Sequence, residues 1–226
     1  MPAQIITAIQ QKGGTGKTTF LCMLASLMAA DGARVAIVDT DPQESAMDFA
    51  TAAEKHGLSI DYLSELDEND VVDKVRYLAD KGDHDVIFVD TAGIQSRVTD
   101  FAVYLADLVF VPVKPSTPDV KGLIASLAAI KRTAKLQGKE IPAYILYSDV
   151  DKAARITSSW QSELAALGVP MLRSKLYHRT GFREFMSTGS KLTGTAYTVA
   201  RAILAELQIL KLLDFYNQPS ATKAAE

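Results

Sequence analysis

The 226-residue chain predicts a single doubly wound α/β domain, a mostly parallel twisted sheet with helices on both faces. Three observations predict it. Short, continuously apolar runs such as VAIVD (35–39) and DVIFVD (85–90) lack the alternation of a strand with one wet face. Helical stretches of ten or more residues separate them, the spacing of parallel strands joined by crossover helices. The length suffices for one full core, and a composition 48% hydrophobic and 23% charged is ordinary for a soluble domain.

In chain order, IITAI (5–9) reads as a strand leading into a glycine-rich loop, and residues 17–30 as a helix burying Leu21, Leu24, Ala25, Leu27 and Met28. Asp31-Gly32 ends that helix, and VAIVD is the second strand. A helix is expected after Pro42, a strand at Ile60–Leu63 and a helix over Asp67–Lys81. DVIFVD and DLVFVPV (107–113) follow as strands, then a long helix after Pro118, the strand AYILY (143–147) and a helix through Trp160. A last strand is expected near Met171 and a closing helix over Thr193–Phe215. Residues 1–217 form the expected domain; the polar tail 218–226 is expected to be disordered.

The lone Cys22 excludes a disulfide framework and a thiolate cluster for zinc or iron–sulfur. No basic region followed by a long apolar run opens the chain, and no run reaches the roughly eighteen apolar residues of a membrane span. A cytoplasmic protein is expected. Net charge is −3, yet the charge is unevenly placed. Residues 39–107 carry 17 acidic groups against 5 basic, whereas 152–201 carry 8 basic against Glu163 and Glu184. The second stretch is therefore a candidate basic face that the chain average hides.

QQKGGTGKTTF (10–20) holds the chemistry. A glycine-rich turn between strand and helix aims backbone N–H groups and the positive helix end at one point, which is an anion site. Gly13, Gly14, Thr15, Gly16, Lys17, Thr18 and Thr19 form the candidate nucleotide loop of a P-loop NTPase. Lys17 would reach the β- and γ-phosphates, and the Thr18 hydroxyl would ligate Mg²⁺. The usual G-x-x-x-x-G-K-[ST] pattern is broken by Gln11, where a glycine should stand, and Lys12 follows directly.

KGGTGKT resembles the deviant Walker A motif of the ParA/MinD family of ATPases, closest to short ParA-type partition ATPases without an N-terminal DNA-reading extension. The resemblance runs from Ile5 to the end of the last helix. It implies that Lys12 crosses a dimer interface to touch phosphates bound by the other subunit, so that ATP joins two copies. DTDPQ (39–43) resembles the family's switch I, which implies that Asp41 orients the attacking water and that Asp39 lies near the magnesium shell. The same acids and Pro42, at a first helical turn, also suit a helix start. DVIFVDTAG (85–93) looks like a Walker B strand, with Asp90 holding Mg²⁺ through water and Thr91–Gly93 as switch II. LVFVPVKPS (108–116) resembles the segment near the family's dimer interface. Many relatives end the strand equivalent to AYILY with an asparagine that reads adenine; here Tyr147-Ser148 stand there, and Lys175, Leu176, Tyr177 and His178 are candidate neighbours of the base.

Family members bind DNA without sequence preference as ATP-bound dimers, which makes Lys152, Arg155, Arg173, Lys175, Arg179 and Arg183, with Lys191 beside them, the candidate DNA-binding residues. The implied cycle uses ATP and Mg²⁺, a homodimer on nucleoid DNA, and a ParB-like or cargo-bound activator of slow hydrolysis. The rival is a MinD-like helix lying on a bilayer. The closing helix AILAELQILKLLDFY has only Lys211 after Arg201, offset by Glu206 and Asp214, so packing on the sheet is the better expectation. A small-molecule synthase on the same fold would need neither DTDPQ nor a basic face.

Overall fold

The structure, a computed structural model, describes residues 2–93, 96–114, 116–150, 164, 166–177 and 180–218. In chain order these form β1 (Gln4–Ala8), α1 (Lys17–Ala30), β2 (Val35–Asp39), α2 (Ser45–Glu54), β3 (Asp61–Ser64), α3 (Val71–Asp80) and β4 (Val86–Asp90). Then come α4 (Arg97–Leu105), β5 (Leu108–Val113), α5 (Thr117–Gln137), β6 (Ala143–Val150), β7 (Leu176–Tyr177), α6 (Thr180–Thr188), α7 (Gly194–Ile209) and the short α8 (Asp214–Asn217). The strands make one seven-stranded sheet in the order β3-β2-β4-β1-β5-β6-β7, and every pairing is parallel.

Strand parity divides the core. Ile6, Ile37, Phe88, Phe110 and Leu146 pack on one face under α1, α2, α6 and α7. Their neighbours Ile5, Val38, Val89, Val109 and Ile145 pack on the other face under α3, α4 and α5. Because β1, β2, β4 and β5 are covered on both faces, they are buried along their whole length, whereas the edge strand β3 (DYLS) is partly exposed. Register brings Ala8, Asp39 and Asp90 side by side at the carboxyl edge. Asp39 and Asp90 continue the parity of Ile37 and Phe88, so both carboxylates emerge on the α1 side.

Four expectations shift. The helix after Pro42 starts at Ser45, and Pro42 lies in a turn closed by the Glu44 N–H on the Asp41 carbonyl at 2.8 Å. Helix α3 starts at Val71 instead of Asp67, because the Asp67 carboxylate accepts the Asn69 N–H at 2.8 Å and makes a local turn first. Met171 contributes one isolated bridge to Ile145, and the edge strand is Leu176–Tyr177. The closing helix is broken: Lys211 takes a left-handed φ of 55°, and the Leu212 N–H reaches back to the Leu207 carbonyl at 3.0 Å, a Schellman-type end. Gln4 locks that break, donating to the Leu212 carbonyl at 2.9 Å and accepting the Asp214 N–H at 3.0 Å. The helix expected through Trp160, the residues Lys152, Arg155, His178 and Arg179, and the tail from 219 lie outside the described residues.

Candidate functional site

The loop after β1 and the first turn of α1 line a cleft of about 910 Å³ at the carboxyl edge of the sheet. Gly14 and Gly16 take φ values of 70° and 87°, the left-handed region that glycine enters without a Cβ penalty. No acidic residue of α1's own first turn offsets the positive end of the helix at the cleft. Lys17 is buried there. Burial lowers its pKa, while the Asp90 and Asp41 carboxylates pull it back up.

Thr18 Oγ1 donates to Asp90 Oδ2 at 2.7 Å. Asp90 is fully buried and its Oδ1 has no hydrogen-bond partner. Burial pushes the Asp90 carboxyl up to about 7; Asp39 and Asp41 add to the rise, and the Thr18 hydroxyl and Lys17 oppose it. A carboxylate with a bare buried oxygen beside a threonine hydroxyl is a hard-oxygen setting that fits Mg²⁺, whose charge would return Asp90 to its ionised form. Among the described residues no cluster of three metal-ligating side chains occurs. Phosphate and water oxygens would complete such a shell, as is usual for Mg²⁺.

Asp39 is occupied differently. Its Oδ1 accepts the Asp41 N–H at 3.0 Å, and its Oδ2 accepts the Ala46 and Met47 N–H groups at 2.8 and 3.0 Å. It therefore caps α2 from outside and shapes the DTDPQ loop. Burial raises its pKa against these three bonds. Asp41 lines the cleft, and its Oδ1 accepts the Gln43 N–H at 3.0 Å.

Lys12 goes elsewhere. Its Nζ lies 2.6 Å from Oδ2 of Asp119 in the first turn of α5; the side chains are 41% and 1% exposed. Ser116, the N-cap of α5, also donates to that carboxylate. Lys12 is thus the one lysine of the loop that does not line the cleft.

Of the candidate DNA-binding residues, Arg173, Lys175 and Arg183 lie among the described residues. Arg173 is exposed, with its backbone N–H on Glu206 at 2.7 Å; Lys175 Nζ lies 5.6 Å from the Tyr147 ring centre. Arg183, on α6, lines the nucleotide cleft. Leu176, expected near the base, is buried against Gly16. Sequence reasoning missed Asp119, Ser148 and Thr40, whose hydroxyl donates to the Asp90 carbonyl at 2.6 Å. A serine three residues before Asp119, a capping-box spacing, is the only local hint of the first.

Gly93, just beyond β4, abuts the loop. A Cβ there would stand 2.7 Å from the Cα and N of Gly13. Gly93→Ala must push the loop backbone aside, and overpacking of this kind costs about 1–3 kcal/mol. Affinity for a fluorescent ATP analogue is expected to fall roughly tenfold or more. A titration matching that of the parent protein would show that the loop yields without loss.

Residues 6–192 match the family described as the CobQ/CobB/MinD/ParA nucleotide binding domain. The chain is 27% identical to Protein ParA of Rhizobium radiobacter over 194 residues, 83% of this chain and 84% of the relative. It is 25% identical to maintenance of carboxysome distribution protein A of Halothiobacillus neapolitanus, over 79% of this chain and 81% of the relative. A plasmid partition protein of Borrelia burgdorferi solved with AMPPNP superposes with a TM-score of 0.72 at 18% identity, covering 92% of this chain and 99% of that one. With a glycine loop, a buried lysine and a threonine–aspartate pair meeting at one sheet edge, the chain belongs to the CobQ/CobB/MinD/ParA nucleotide binding domain family.

Proposed function

We propose that this protein is an ATP-dependent dimerising switch, a slow Mg²⁺-dependent ATPase that binds DNA without sequence preference and partitions or positions a cargo. The observation that carries the reading is the division of labour between the two loop lysines. Lys17 is buried in its own cleft, whereas Lys12 sits outside it, half-exposed and held by a hydrogen-bonded ion pair to Asp119. A cation so placed can leave Asp119 for the triphosphate of a second subunit, neutralising charge that develops in phosphoryl transfer. Mg²⁺, held near Thr18 and Asp90, would supply charge neutralisation on the phosphates. Within the chain, Lys17 binds phosphate, Asp41 orients water, and Asp39 holds the loop that carries Asp41.

A relative named for carboxysome distribution and the plasmid partition protein of the same fold support the cargo-moving role. The described basic residues Arg173, Lys175 and Lys191 support DNA as the surface; pairing two subunits doubles the phosphates neutralised. The bilayer-bound reading is not favoured. Leu207 in the last long helix and Leu213 just after it are buried, Gln4 ties that segment down, and no helix among the described residues is long and apolar enough to cross a membrane.

Retardation of a random-sequence duplex tests the proposal with Mg-ATP, with Mg-ADP and without nucleotide. Retention is expected with ATP alone, weakening steeply as salt rises, and lost in Arg173→Glu/Lys175→Glu with ATP binding intact. Retention indifferent to nucleotide, or binding to anionic vesicles in place of DNA, would refute it.

A further inference from the structure

We infer that Ser148 is a positioning residue for the phosphate loop: its hydroxyl holds the Thr15–Gly16 peptide so that the Gly16 N–H faces the nucleotide's phosphates. The inference rests on the nucleotide site proposed above.

The argument starts from strand parity. Ile145 and Tyr147 of β6 face the α5 side, and Leu146 faces the α1 side. Ser148 shares the Leu146 face and is fully buried at the carboxyl edge, beside the loop. A buried serine can satisfy its hydroxyl on its own strand. This one instead donates to the carbonyl of Thr15, 133 positions earlier in the chain.

That bond has a directional consequence. In a trans peptide the carbonyl and the following N–H point in opposite directions. With the Thr15 carbonyl turned back to β6, the Gly16 N–H is directed the other way, to the cleft that Thr15, Gly16 and Lys17 line. Gly16 itself, at φ 87°, offers no side chain to resist a flip of that peptide, and glycine tolerates either sign of φ. Restraint must come from outside the loop. On the far side of the residue, Thr15 Oγ1 donates to the Lys12 carbonyl at 3.4 Å. On the near side, Ser148 Cβ and Leu176 Cδ2 close to 3.7 and 3.6 Å of where a Gly16 Cβ would stand. A flipped peptide would present carbonyl lone pairs to a polyphosphate and strand the Ser148 hydroxyl without a partner in a dry setting, both unfavourable.

Ser148→Ala removes the hydroxyl and leaves the volume nearly unchanged. Loop amides cradle the phosphates common to ADP and ATP, so the affinity for fluorescent analogues of both is expected to fall, by roughly tenfold each. In the parent, adding Mg-ADP should move the Gly16 amide proton resonance downfield; in the variant that movement should shrink. Unchanged affinity overturns the inference. So does reduced affinity with a Gly16 shift equal to the parent's, since the loss would then come from general destabilisation, which the nucleotide-free melting temperature would register. A parent protein that binds neither analogue would instead refute the nucleotide reading itself, before any variant is compared.

Discussion

Replacing Lys12 with alanine is expected to leave each subunit able to bind ATP and to abolish both ATP-driven pairing and hydrolysis. Lys12 lines no part of its own cleft, so nucleotide capture by Gly13–Thr19 and Lys17 survives its loss. In the proposed shared-site mechanism, what would disappear is the cation offered to the second subunit. Cationic fingers supplied in trans are worth about 10³–10⁵ in rate, and hydrolysis should fall on that scale. The substitution also has a cost within the chain. Asp119 is 1% exposed, and its Oδ1 already lacks a hydrogen-bond partner, so losing Lys12 leaves a buried carboxylate supported by the α5 cap alone. Asp119→Asn separates the two effects, because it releases Lys12 while keeping the shape of the helix start. Sizing in Mg-ATP with single-turnover hydrolysis reads both variants. A Lys12→Ala protein that pairs and turns over like its parent removes the shared-site mechanism altogether.

Asp41→Ala should do the reverse, trapping the paired state. Asp41 faces the cleft, and the turn it belongs to is closed by its backbone carbonyl on the Glu44 N–H, which alanine retains. Its carboxylate also adds negative charge beside Lys17 and Asp90. Removing that charge next to a triphosphate cannot weaken ATP binding by repulsion, and should tighten it. In the proposed mechanism hydrolysis would lose the group that orients water, an effect on the order of 10²-fold or more. The expected protein elutes as a dimer in Mg-ATP, retains DNA and releases phosphate slowly. Parent-like turnover would take Asp41 out of the mechanism.

Much of the site was legible because its parts are local. The loop is contiguous from Lys12 to Thr19, and each acidic residue ends an apolar run that announces a strand. Asp39 and Asp90 could be placed at the carboxyl edge of a parallel sheet because each ends an apolar strand, but not assigned different tasks. Three backbone N–H groups engage Asp39, whereas one oxygen of Asp90 is left bare. That contrast depends on where α2 starts, and a turn at Asp41–Glu44 moves the start past Pro42. Arg183 illustrates the opposite limit. Nothing in its sequence neighbourhood places it at the cleft; the docking of α6 on α2, with the Phe49 and Phe185 rings 4.5 Å apart, brings Arg183 to the cleft lining.

By itself the sequence determined the parallel sheet with its covered central strands and the phosphate loop, because hydrophobic period, glycine spacing and strand ends are properties of neighbouring residues. Tertiary structure alone decided that Lys12 rests on Asp119, that Gly93 abuts Gly13, that Ser148 holds Thr15 and that Gln4 ends the last long helix. Each of these joins positions 80 or more apart in the chain. Such pairings are set by strand order and by the packing of whole helices, and no local pattern encodes them.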